Sequence, residues 1–153
     1  MAALRFVRRC RSESGAELIE FGLTFPLLLL VVLGIMDFGL LFRDYEVITN
    51  AAREGARVAV LPNYSSADAT TRVNQYLTAA GLDPTLWNSS VGAPVSSPLP
   101  DGNCEYLIEV DVTYPHGFTF LTGIGTYFGA SFGTVTLTAH STMRTETPAG
   151  TCS

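Results

Sequence analysis

Residues 21–42 read FGLTFPLLLLVVLGIMDFGLLF, and the whole architecture turns on this run. Asp37 is its single charged residue, and Arg43-Asp44 closes it. At about 1.5 Å per residue, a helix of these 22 residues extends about 33 Å, enough to cross a hydrocarbon core. A secretory signal has a shorter apolar region with a small-x-small cleavage site behind it. No such site follows here, so the segment is expected to persist as a transmembrane helix.

The flanks give the span a direction. All nine basic residues are Arg, and Arg5, Arg8, Arg9 and Arg11 precede the span. From Ala16 onward five Arg face thirteen acids, a net charge of −8. Basic residues before the span and acids after it predict a cytoplasmic N-terminus and an exported C-terminal part, in a single-pass membrane protein. An acidic body repels nucleic acid, which is excluded as a partner.

Within the span, Pro26 removes one backbone donor and frees the carbonyl of Gly22, so a local kink is expected. A charged Asp37 costs about 2.5–3.5 kcal/mol at a helix centre and less near an interface. Two readings of it stand: an acid reaching toward headgroups, or a buried contact to a partner helix. Beyond the span, Gly55 is the only Gly or Pro in residues 45–61, and Pro62-Asn63 supplies a stop. The helix is therefore expected to continue outward to residue 61, with small residues Ala51, Ala52, Gly55, Ala56 and Ala59 along a closely packable face.

The distal part reads as α+β. In residues 67–80, Val73, Tyr76, Leu77 and Ala80 share a helical face, and Gly81 is a natural terminator. Residues 83–103, rich in Pro, Ser, Gly and Asn, are expected to be an irregular loop. Residues 104–114 alternate Tyr106, Ile108, Val110, Val112 and Tyr114 with polar positions. Residues 134–144 alternate Val135, Leu137, Ala139, Ser141 and Met143 with Thr and His. Both have the period of half-buried antiparallel strands. Two strands alone are marginal, so the small antiparallel sheet is expected to pack on the helical stalk. The aromatic connection 115–131 reads either as a contact surface for a partner or headgroups, or as cover for the core.

The junction Arg11-Ser12-Glu13-Ser14-Gly15-Ala16-Glu17-Leu18-Ile19-Glu20-Phe21 resembles the processing site of class IV prepilins. GAELIEFGLTFPLLLLVVLGIMDFG, followed by ITNAAREGARVAV, resembles the TadE-like minor pilins of tight-adherence (Tad/Flp) pilus systems. VDVTYPHGF and LTAHSTMRTE are similar to the two strand segments near that family's end. The resemblance covers residues 12–61 and 104–146. It implies cleavage by a membrane prepilin peptidase between Gly15 and Ala16, and assembly with other pilins or pseudopilins and pilus machinery. Glu20 would then balance the new α-ammonium of Ala16, in the same chain or from a neighbour. The expected division is a basic leader, 1–15, a transmembrane and stalk helix, 16–61, and an exported α+β domain, 62–153.

Of the cysteines, Cys10 lies in the leader, whereas Cys104 and Cys152 lie in the exported part and read as one disulfide. No catalytic constellation is legible. Asp37-Phe38-Gly39 matches a kinase triplet in letters only, and Gly123-Ile124-Gly125 does not follow a dinucleotide-binding pattern. His116 and His140 have no cysteine or carboxylate at ligand spacing, so neither a metal nor a cofactor is expected. The reading is a structural pilin-like protein that supports pilus assembly, adhesion or secretion, and not an enzyme. A single-span extracytoplasmic sensor fits the topology equally but leaves Gly15 and Glu20 without a role.

Overall fold

Residues 13–100, 103–127 and 129–145 are described by a computed structural model of the chain. Its first element, α1, is one helix over Glu13–Ala59, 47 residues, with Pro26 inside it. The helix starts before the junction and stops just short of Pro62, where Asn63 takes a left-handed φ of 66°. Asn tolerates that conformation better than most residues, so Pro62-Asn63 ends the helix as expected.

The remaining elements are α2 (Ser66–Ala79), β1 (Asn88–Val91), β2 (Val95–Pro98), β3 (Cys104–Gly117), α3 (Phe120–Tyr127) and β4 (Thr134–Arg144). A long apolar helix, a shorter helix and a small antiparallel sheet make the fold α+β. The chain divides into two compact units. One combines α1 up to Phe38 with the segment Phe118–Phe132. The other combines α1 from Gly39 with α2, the sheet and their connections.

In the second unit β3 is the central strand. β4 pairs antiparallel with it from Leu107↔Arg144 to Gly117↔Thr134. β1 and β2 pair in tandem with the opposite edge, at Val110–Thr113 and Cys104–Leu107. Residues 83–103 are thus not wholly irregular, which corrects the expectation. Asn-Ser-Ser-Val and Val-Ser-Ser-Pro carry no apolar alternation and are too short to signal strands by themselves. The open edge of β3 supplies the hydrogen-bonding template, and short Ser- and Pro-containing strands suit an edge. Gly92 bridges the two pieces, its N–H donating to the Glu109 carbonyl at 2.8 Å.

The core lies where α1 and α2 meet the sheet. Ile48, Ala51, Ala52 and Ala56 of α1 pack with Val73 and Leu77 of α2, Val110 and Val112 of β3, and Leu137 and Ala139 of β4. The alternation expected of both long strands is the one that buries, except that Val135 at the start of β4 is 41% exposed. Gly55 shows why small residues line α1. A Cβ there would collide with Cγ2 of Val73 and approach Cγ1 of Val110 to 3.2 Å.

Helix α2 is fixed at both ends. Ser65 and Asp68 form a capping box, the Asp68 carboxylate accepting the Ser65 N–H at 2.8 Å. At the other end Gly81 has φ 80°, its N–H donates to the Thr78 carbonyl and the Leu82 N–H donates to that of Leu77. This is a Schellman stop, sealed by Leu77 and Leu82, which both join the core.

Candidate membrane and assembly site

The site begins with what α1 leaves uncovered. Along its first half the large apolar side chains are exposed: Leu18 is 71%, Leu23 75% and Ile35 67% accessible, and Phe21, Phe25 and Leu27 through Val32 accompany them. An 18-residue window of this helix has a mean hydropathy of 2.4, yet only 6% of it is buried. The core helix of a water-soluble protein would bury such residues. This helix does not, which fits a single-pass membrane anchor.

The expected processing residues lie at the helix start. Gly15, Ala16 and Glu20 are all helical and exposed, and a side chain at Gly15 would meet open space. The Glu20 carbonyl accepts the Thr24 hydroxyl at 2.8 Å, a bond that leaves the Glu20 carboxylate uninvolved. The basic leader through Ser12, with Cys10, lies outside the described residues.

Asp37 departs from both expectations. It is fully buried, and its partner is this same chain. One carboxylate oxygen accepts the backbone N–H groups of Thr119 and Phe120 at 3.1 Å each. The other accepts those of Phe120 at 3.0 Å and Leu121 at 2.7 Å. These are the donors that the first turn of α3 cannot satisfy internally, and the helix dipole adds to the attraction. Hydrogen bonds to a charged group contribute about 1.5–3 kcal/mol each, enough together to offset the cost of an acid in an apolar helix. Phe38 packs edge-on against Phe118 with ring centroids 6.0 Å apart. The aromatic connection is therefore a short helix docked on the carboxyl group, with Leu121 buried.

Residues 15–57 match the family model described as TadE-like protein. The likeness is confined to that segment. No curated protein and no solved structure matches the chain. The TadE-like segment coincides with α1 from Gly15 nearly to its end, so it contains the exposed apolar half, Glu20, Asp37 and the small-residue face of the core.

In the second unit the TadE-like helix carries another buried acid. Asp44 shares a hydrogen bond of 2.8 Å with Nδ1 of His116, and Arg43 lies 3.5 Å from its other oxygen. Arg43 also donates to the Ala80 carbonyl at 2.9 Å, capping the C-terminal end of α2. Tyr114 is pushed up from the usual tyrosine range, first by burial and then by the charge of Asp44. Glu54 accepts from Arg72 of α2 and from Arg57, both at 3.2 Å, and these two guanidinium groups hold its carboxyl below the usual range.

Among the described residues no group of three or more His, Cys, Asp or Glu side chains could hold a metal ion. Cys104 is buried at the start of β3; Cys152 lies outside the described residues. Sequence reasoning missed the pairings Asp37 with 119–121 and Asp44 with His116, which join residues 72 to 84 positions apart. For Asp37 the local signal is an acid inside an apolar run, which announces a partner without naming it.

Proposed function

We propose that this chain is a minor pilin or pseudopilin of a tight-adherence pilus system, matured by a membrane prepilin peptidase that cuts between Gly15 and Ala16. The observation carrying the reading is the TadE-like match, which begins at Gly15 and follows a helix whose apolar side chains are exposed. The first four N–H groups of any helix lack internal partners, so unwinding the turn at Gly15 to an extended form costs little. Cleavage creates an α-ammonium at Ala16. Glu20, one turn further on, supplies the opposite charge to it or to a neighbouring subunit's end, where low dielectric strengthens the attraction. The N-terminus faces the cytoplasm and the sheet-bearing unit is exported, so the partners are the inner membrane, the peptidase, other pilins and the assembly machinery. The role is structural, in assembly that serves adhesion or secretion.

Mass spectrometry of the membrane-extracted protein tests this. Ala16 is expected as the N-terminal residue, and Gly15→Leu should block processing. Glu20→Ala should insert normally yet assemble poorly. An intact leader in cells with an active prepilin peptidase would favour the single-span sensor instead.

A further inference from the structure

The segment 118–132 has properties that its role as a partner for Asp37 does not use up. The chain carries no Asp, Glu, Lys or Arg from residue 112 to 143, an interval that contains this whole segment. Three of its polar groups bond within it: the Thr126 hydroxyl donates to the Gly123 carbonyl at 2.8 Å, that of Thr122 to the Phe132 carbonyl at 3.5 Å, and the Ala130 N–H to the Gly125 carbonyl at 2.8 Å. Gly125 permits this fold-back, since a Cβ there would sit 2.7 Å from the Ala130 carbonyl oxygen. With α1 it forms an entirely apolar groove of about 430 Å³, lined by Leu30, Val31, Ile35, Phe118, Leu121 and Phe132. Phe132 is 43% and Val31 50% exposed.

We propose that this segment is a membrane-embedded interfacial element, and that acyl chains of the bilayer occupy its groove. The inference rests on α1 spanning the membrane. Asp37 lies five residues before the last apolar residue of the span, Phe42, or about 7–8 Å along the helix. That places the start of α3 within the depth of about 5–10 Å at which interfacial helices lie. Eight residues are too few to cross, and an uncharged segment that bonds the Thr122 and Thr126 hydroxyls within itself loses less on leaving water. Lipid is favoured over a second polypeptide because the groove is continuous with the span, and because the one acid at this depth already has its hydrogen bonds within the chain. Asp37 then ties the segment to the span at a fixed depth.

The test is tryptophan quenching in phosphatidylcholine nanodiscs loaded at one full-length chain per disc, with lipid brominated either in the upper part of the acyl chain or toward its end. Ile124→Trp and Val31→Trp are each measured against the parent, whose Trp87 gives the background. Ile124→Trp should be quenched about two-fold or more above the parent by the upper bromines, as expected at the acyl boundary, and Val31→Trp, eleven residues or about 16 Å before Phe42, by the deeper ones. Quenching in the Val31→Trp variant but not in the Ile124→Trp variant would overturn the inference while leaving the span intact. Failure in both variants would instead remove the span itself. Quenching of Ile124→Trp that appears only in discs holding several chains would assign the groove to a second copy and also overturn the proposal. Adding Asp37→Ala to Ile124→Trp should cut its quenching about two-fold, because an untethered segment samples shallower depths. Unchanged quenching in that double variant would refute the tether.

Discussion

Gly55 sits where α1 approaches both α2 and β3, and the absent side chain is what allows the approach. A Cβ would strike the stiff branched side chain of Val73, which has little rotamer freedom to yield. Gly55→Val should therefore destabilise the protein by about 1–3 kcal/mol, the usual cost of overpacking a filled core. Gly39→Val is the control, because a Cβ there meets nothing within 4 Å. Denaturant unfolding of the detergent-solubilised chain distinguishes the two. The small residues of α1 are visible in the sequence, but only the packed structure shows that they accommodate the chain's own sheet and second helix.

At the scale of elements, α1 and α2 are joined by Glu54 and Arg72 as well as by the core, and α2 is held by the Asp68 box. Glu54 is held low by hydrogen bonds from Arg72 and then Arg57, Asp68 by the Ser65 hydroxyl and backbone, and Asp83 by the Thr85 backbone and hydroxyl. A carboxyl group whose folded pKa is depressed stabilises the fold above its unfolded value and loses that contribution as pH falls through the folded value. The window thus opens below the ordinary values of 4.5 for Glu and 3.8 for Asp. Thermal melts should show falling stability as pH drops below that range, and Glu54→Gln should flatten part of the slope. Asp68 and Asp83 are exposed and Glu54 is partly so, and the effect per group is expected to be small and reduced by salt. Gly81 is local chemistry, readable from the sequence as the stop of α2. β1 and β2 are not, because an edge strand exists by virtue of the strand that it joins.

Over the whole molecule, the pairing of Cys104 with Cys152 stands as a proposal. Cys104 opens the central strand and is buried there. A bridge closing about 48 residues would stabilise the fold by roughly 4 kcal/mol in the chain-entropy model. Thiol labelling of mature protein should find neither cysteine reactive until reductant is added, and reduction should lower the melting temperature. Two reactive thiols beforehand would remove both the bridge and one support for export.

The long helix, its membrane character and the two long strands are legible because each rests on a period or a run within neighbouring residues: an unbroken apolar stretch, a repeat of two, a turn residue in its place. The roles proposed for Gly15 and Glu20 rest on the same kind of local signal. The destinations of Asp37, Asp44 and the aromatic connection are not legible. Each depends on backbone donors or a side chain more than seventy positions away, and a buried acid is tolerated only once folding brings those donors within hydrogen-bonding distance.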